Sequence, residues 1–279
     1  MRAALCLMFA SACTTPPGGR EARRVITAAP SFTEIAFALG RGDRVVGVSD
    51  FCEHPPEACR RPKVGGLIDP NLERMLALRP DLVVLLKDFP GVERALRGAD
   101  VQTLLLENES LSDLFHVIGA LGEALHAQDE AARLARRIHG DLDAIRRRVR
   151  GRPRKRLLWV LDRRPGTFQD VFAAGGGSFL TDLVEFAGGE NVFADSPRGA
   201  MQLSTEQVLR SQPDVIFDSS GDPAGAAAWS ALGVLPAVGH GRVLAVRDPA
   251  FTVPGPRVGR AAAKIARLLH PEVFPTEAQ

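Results

Sequence analysis

Between Ala127 and Arg150, the apolar residues Ile138, Leu142, Ile145 and Val149 recur at steps of four and three. Arg136, Arg137, Arg146, Arg147 and Arg148 fall mostly between them. That spacing places the apolar residues on one face of a helix. At about 1.5 Å per residue, a helix over 127–150 is about 36 Å long and can cross a small domain. Similar stretches stand on either side of it. Upstream is Asn71-Leu-Glu-Arg-Met-Leu-Ala-Leu-Arg-Pro-Asp-Leu-Val-Val-Leu-Leu86, and downstream is Ser204-Thr-Glu-Gln-Val-Leu-Arg-Ser-Gln-Pro-Asp-Val-Ile-Phe217. Each reads as an N-cap, a helix of about two turns, a Pro-Asp stop and a buried strand. Glu73 and Glu206 occupy the same place in the two helices, so the chain reads as two similar halves joined by one long helix.

The remaining pattern fills in those halves. Short apolar runs predict strands at 25–27, 44–48, 82–86, 101–106, 157–161, 215–217 and 242–246. Helices are predicted between them. One over 32–39 is opened by a capping box, Ser31-Phe-Thr-Glu34, and stopped by Gly40. Others cover 92–97, the stretch after the Ser110 cap with the stripe Leu114, Ile118, Leu121 and Leu125, then 178–187, and finally 258–269. Strands alternating with helices predict α/β halves with largely parallel sheets covered on both faces.

Composition adds the compartment. The chain has 279 residues, 45% of them hydrophobic and 24% charged, with a formal net charge of +2. That is ordinary for one large or two medium domains and gives no push toward nucleic acid. The basic run from Arg146 to Arg156 has no aromatic interleaving and reads as a solvated helix end plus linker. Residues 1–13 carry one Arg, then apolar and small residues ending at Cys13, too short for a membrane span. They resemble a lipoprotein signal peptide with Cys13 as the lipidated residue, although Ala10 stands where Leu is usual. Secretion with ordinary cleavage is the alternative. Residues 14–23 then form a tether. In an exported protein, Cys52 and Cys59 predict a disulfide, with a metal site from Cys52, His54 and Cys59 as the alternative.

Catalysis is not expected. Gly175-Gly-Gly-Ser178 resembles a phosphate-cradling loop but lacks a Walker Lys, there is no G-x-S-x-G or HExxH, and the six His are scattered. No cofactor and no resident metal are expected.

Several short motifs, taken in order, resemble the bacterial substrate-binding proteins of ABC importers for cobalamin, ferric siderophores and haem. They are Ala29-Pro-Ser-Phe-Thr-Glu34, Val46-Gly-Val48, Pro55-Pro-Glu-Ala58, Val64-Gly-Gly66, Asn71-Leu-Glu73, Arg79-Pro-Asp-Leu-Val83, Gly188-Gly-Glu-Asn-Val-Phe193 and Gly255-Pro-Arg257. The likeness runs from about Arg24 to Pro271, and the spacing is closest to the cobalamin branch. The resemblance implies two Rossmann-like α/β lobes, here 24–126 and 151–279, joined by the single helix over 127–150. It implies a monomer at the outer face of a bacterial membrane, held by an N-terminal lipid anchor, with ABC permease and ATPase subunits as partners. It also implies that Glu73 and Glu206 dock into arginine pockets on the permease; the competing reading is that each Glu only complements a helix dipole. The continuous helix predicts lobe closure of only a few degrees.

The ligand is expected between the lobes, at loops leaving the carboxyl ends of the strands. Candidates there are Phe51, Leu67, Leu86, Phe168, Met201, Asp248 and Phe251, with His54 and Asp88 nearby. The cobalamin binder carries aromatic residues at several of these spots, some of which are aliphatic here. Arg163, Arg164 and Arg257 are the candidate donors for a siderophore. With no Tyr in the chain, an axial haem ligand would have to be His54 or Met201. A ligand-sensing lipoprotein on the same fold is a further alternative.

Overall fold

A computed structural model describes residues 21–167 and 169–274. Cys13 and Phe168 lie outside the described residues. The first half comprises β1 (Val25–Thr27), α1 (Pro30–Ala38), β2 (Val45–Val48), α2 (Pro56–Cys59), α3 (Leu72–Ala77), β3 (Leu82–Leu86), α4 (Pro90–Gly98), β4 (Gln102–Leu106) and α5 (Leu111–Ala124). Its four strands form a wholly parallel sheet in the order β2-β1-β3-β4. Successive side chains leave a strand on opposite faces. Accordingly Val25, Leu82 and Val84 join one apolar cluster, while Ile26, Val83 and Leu85 join another with Met75 and Leu96.

The long helix α6 spans Gln128–Val149, and its buried residues are Ala131, Leu134, Ile138, Leu142, Ile145 and Val149. Asp129 and Glu130 in the first turn and Arg146–Arg148 in the last suit the helix dipole. Two of those arginines also cover rings: Arg146 lies 4.0 Å from the Phe186 centroid and Arg148 4.4 Å from that of Phe274.

The second half comprises β5 (Lys155–Asp162), β6 (Val171–Ala174), α7 (Phe179–Phe186), β7 (Gly189–Asn191), β8 (Ala200–Leu203), α8 (Thr205–Ser211), β9 (Val215–Asp218), α9 (Pro236–Gly239), β10 (Val243–Ala245) and α10 (Val258–Leu269). Its sheet runs β10-β9-β5-β6-β8, with β7 also paired to β5. Its pairing is largely parallel, the exceptions being the two pairings of β6, which is antiparallel to both β5 and β8. The fold is two α/β lobes with one long helix between them. A single apolar cluster runs from Phe32 and Leu82 through Leu134 and Ile138 to Leu157 and Phe217. The lobes are therefore packed on one another as well as linked.

Two local expectations are overturned. The first helix starts at Pro30, not at Phe32, with Ala29 as an N-cap that makes no side-chain bond. Proline at the first position pre-sets φ and has no N–H to satisfy. Ser31 and Glu34 are left for tertiary partners: Asn108 Nδ2 donates to Ser31 Oγ at 3.1 Å, and Arg257 bonds Glu34. Secondly, Cys52 and Cys59 are free thiols, not a disulfide. Cys52 is 1% exposed, turned into the core against Thr33 and Ser49, whereas Cys59 is exposed and donates to the Glu53 carbonyl at 3.1 Å. Among the described residues no group of three or more His, Cys, Asp or Glu is placed to hold a metal ion. The run Gly175–Gly177 faces neighbouring backbone. Gly176 N donates to Ser196 O at 2.8 Å and Gly175 N to Gly199 O at 3.0 Å. A Cβ at Gly176 would stand 1.9 Å from Ala194 O, so the glycines permit a close chain crossing, not a phosphate cradle.

Candidate functional site

The main cavity is a cleft of about 830 Å³ between the lobes. It opens where parallel strands end. Leu86 closes β3, Asn108 and Glu109 follow β4, Ser219 follows β9, and Val246 follows β10; all five line it. Strand polarity brings them together, because the carboxyl ends of parallel strands share one edge of a sheet.

The first lobe contributes an aliphatic wall. Leu67 and Leu86 line the cleft and are partly buried. Phe51 does not line it; it is 59% exposed beside Gly66, and Ile68, next to Leu67 in the chain, is 89% exposed. Glu53, Asn108 and Glu109 supply polar groups. Asp88 lies in a smaller adjoining pocket of about 380 Å³.

The second lobe contributes an aromatic wall. Trp159, Phe179 and Phe251 line it. Trp159 donates from Nε1 to Ser219 Oγ at 3.0 Å and meets Phe217 and Phe251 edge to face, with centroids 5.2 and 5.3 Å apart. Asp248 lines the cleft, but its carboxylate is engaged: it accepts from Ala250 N at 2.9 Å and from Lys264 Nζ at 3.0 Å. Those contacts, the backbone N–H first, hold its pKa below the ordinary value. Asp248 thus caps the turn that presents Phe251. Met201 faces away. On β8 it packs with the second lobe's inner cluster, while the preceding Ala200 lines the cleft.

Strand reading from sequence missed Trp159, which looked like one member of a buried run. The available signal was its position near the carboxyl end of a strand, on the face shared with Leu161. Phe172 is not among the residues that line the cleft. It is 41% exposed and shares a face of β6 with Ala174, the partner of the cleft-lining Ala200.

Behind the aromatic wall lies a buried ion network. Arg163, with no exposed side-chain surface, meets Asp218 at 2.9 Å and Asp222 at 2.7 Å. Asp222 is drawn down to about 2, first by N–H groups of Gly166 and Ala224 and then by Arg163. At Asp218 burial pushes upward but is outweighed by bonds from Ser220, Trp229 and Arg163, so its pKa is lowered. The network holds the Ser219–Gly221 segment, part of the cleft wall. None of the three candidate siderophore arginines is free: Arg164 pairs with Asp170 at 2.6 Å, and Arg257 with Glu34.

Glu73 and Glu206 are both exposed, in the first turns of α3 and α8. Asn71 accepts from Arg74 N, and Ser204 forms a capping box with Gln207, so neither Glu is needed as a cap. Each helix feeds the amino end of a parallel strand, which turns its first turn toward the cleft end. Leu67 and Ala200, a few residues ahead of the two helices, line the cleft itself. Glu206 also pairs with Arg210, one helical turn on, at 2.6 Å.

The model of the family described as periplasmic binding protein matches residues 25–248. The chain belongs to the periplasmic binding protein family. Its relatives include a vitamin B12-binding protein of Pectobacterium carotovorum, 30% identical over 253 residues, covering 88% of each chain. An uncharacterized ABC transporter substrate-binding lipoprotein, YvrC of Bacillus subtilis, is 27% identical over 91% of this chain and 82% of its own. Among solved structures, the periplasmic haem-binding protein BhuT with two haems superposes with a TM-score of 0.79, at 29% identity over 90% of this chain and 98% of that one. The periplasmic vitamin B12-binding protein BtuF of Vibrio cholerae gives 0.75, at 29% identity over 91% and 99%. The family model is thus one of periplasmic binding proteins, and the Bacillus subtilis relative is named as a substrate-binding lipoprotein of an ABC transporter.

Proposed function

We propose that this protein captures a corrinoid, cobalamin or a close relative, in the interlobe cleft and delivers it to a membrane permease. The observation that carries this reading is the chemistry of the cleft wall. Among the described residues lining it there is no His, Tyr, Cys or Met. Haem iron in a protein is commonly held by such an axial ligand, whereas a corrinoid's cobalt can carry its own. Arg247 is the one Lys or Arg among the described lining residues, set against Glu53, Glu109 and Asp248. That balance suits neutral amide groups better than the carboxylates of haem or the anionic oxygens of a ferric siderophore. Trp159, Phe179 and Phe251 offer faces and edges for a flat macrocycle. A haem reading remains as the second, through His54, which is exposed beside the cleft-lining Glu53. Calorimetric titration of the mature protein with cyanocobalamin, cobinamide, haem and ferric siderophores decides between them. Tight one-to-one corrinoid binding is expected. Binding of haem with loss on His54→Ala, and none of a corrinoid, overturns the proposal.

In this proposal residues 24–126 and 151–279 are the two binding lobes, 127–150 the link, and Cys13 the lipid attachment after removal of the leader. Glu73 and Glu206, on the cleft side of each lobe, are the docking carboxylates for arginines of the permease. Reversing both charges is expected to abolish uptake while sparing ligand affinity. Undiminished transport by Glu73→Arg/Glu206→Arg refutes the docking role, and a sensing lipoprotein then becomes the better reading.

A further inference from the structure

Two of the sequence motifs, Ala29-Pro-Ser-Phe-Thr-Glu34 and Gly255-Pro-Arg257, have no part in the capture or docking described so far. The structure joins them. Arg257 Nε donates to Glu34 Oε2 at 2.9 Å and Nη2 to Oε1 at 2.5 Å, a two-pronged pair between residues 223 positions apart. Glu34 lies on α1 of the first lobe with 3% of its side chain exposed, and Arg257 caps the start of α10 in the second with 21% exposed. The pair sits between the shared apolar core below and the cleft above. Phe32 and Ile35 on the same helix, and Val258 beside Arg257, belong to that core. Pro254, just ahead of the Gly-Pro-Arg motif, lines the cleft, and a Cβ at Gly255 would stand 3.2 Å from Glu34 Oε2. One turn earlier on α1, Ser31 accepts from Asn108, another residue of the cleft wall.

The strap 249–256, which carries Phe251, Thr252 and Pro254, is therefore fastened to the opposite lobe by an ion pair, not only to its own sheet. We infer that Glu34 and Arg257 are positioning residues: their pair is a clasp across the cleft floor that sets the angle between the lobes and holds the strap against the ligand. Among the described residues the other hydrogen bonds between the lobes, Phe179 N to Glu109 O at 2.6 Å and Leu111 N to Asp182 Oδ2 at 2.8 Å, lie at the starts of α7 and α5. They act as the seam about which the clasp opens. A buried carboxylate is stable only while paired, so the clasp has two states, made or broken and hydrated. That is the kind of bistable contact a permease can use to release the ligand.

The test needs no knowledge of the ligand. Spin labels at two exposed rim positions, Ile68 and Gln202, report the lobe separation by pulsed resonance in the ligand-free protein. Wild type is expected to give one narrow distance distribution, and Glu34→Gln a longer or clearly broadened one. Arg257→Lys keeps the charge but loses the fork and is expected to fall between them; it also carries the test if Glu34→Gln does not fold. The exchange Glu34→Arg/Arg257→Glu is expected to restore part of the narrow distribution, which lost stability alone would not do. Unchanged distributions in Glu34→Gln and Arg257→Lys overturn the clasp. A ligand arm rests on the corrinoid reading: cobinamide is expected to dissociate at least tenfold faster from Glu34→Gln. Failure of wild type to bind cobinamide removes that reading and leaves the distance result standing.

Discussion

The two walls of the cleft are made differently. The first lobe offers Leu67 and Leu86, aliphatic and partly buried, while Phe51 and Ile68 are exposed and do not line the cleft. The second offers Trp159, Phe179 and Phe251, with Trp159 and Phe251 locked edge to face and the Phe251 turn capped by Asp248. A capped turn and packed rings lose little freedom when a ligand arrives, so contacts on that side are made at low entropic cost. Leu67 and Leu86 pack against the core without such ring contacts, and that wall is expected to adapt more readily to shape. The second lobe should therefore set affinity, and the first should tune which macrocycle fits.

The largest expected effect comes from removing the support of the fixed wall. Arg163→Met leaves Asp218 and Asp222 without their cation and should cost about 3–5 kcal/mol of folding stability, read from urea unfolding. Loss of Asp222 is pH-dependent. Its folded pKa of about 2 lies below the ordinary 3.8, so its contribution is present above about pH 4 and fades as pH falls toward 2. Asp222→Asn should flatten the stability profile in that window. Next is a contrast between the walls: Phe251→Leu should weaken cobinamide binding about tenfold, roughly 1.4 kcal/mol, while Leu67→Ala should change it less than about threefold. Equal losses would refute the division of labour. Restoring an aromatic on the adaptable side, Leu86→Trp, should tighten cobinamide binding about two- to tenfold, in keeping with ~0.5–1.5 kcal/mol for an aromatic contact.

The smallest effect is at the seam between the walls. Burial raises the Asp182 pKa, opposed by the Leu111 N–H and reinforced by Glu185 and Asp113. An acid with a raised folded pKa favours folding below its unfolded pKa and loses that advantage as pH rises through the folded one. Asp182→Asn keeps an acceptor for Leu111. It should unfold at slightly higher urea than wild type at pH 7, with the difference vanishing below about pH 4.

Much of this architecture was legible from local pattern. The stripe of α6, the strand Leu82–Leu86 and the caps at Asn71, Ser110 and Ser204 all depend on residues a few positions apart, and all appear as spacing dictated. The cleft's location also followed, since strand polarity alone points loops to one end. Side-chain direction at the strand edges was less legible. Met201 and Ala200 differ by one position, yet one enters the core and the other the cleft, because period-two alternation depends on a strand that no turn signal announced. β6 and β8 are short, and α7 and β7 lie between them in the chain, so their antiparallel pairing left only a weak trace.

The sequence by itself determined the alternation of strands and helices, the long apolar-striped link and the paired glutamates Glu73 and Glu206, because helix and strand periodicity and capping are short-range physics. Tertiary structure alone decided that Cys52 turns inward away from Cys59, that Arg163 is spent on two buried carboxylates, and that Arg257 reaches Glu34 across 223 positions. Each of these choices depends on which groups meet after the sheets have stacked. A buried charge or thiol takes whatever partner the packed core leaves within about 3 Å, and nothing in its own neighbourhood along the chain records which one that is.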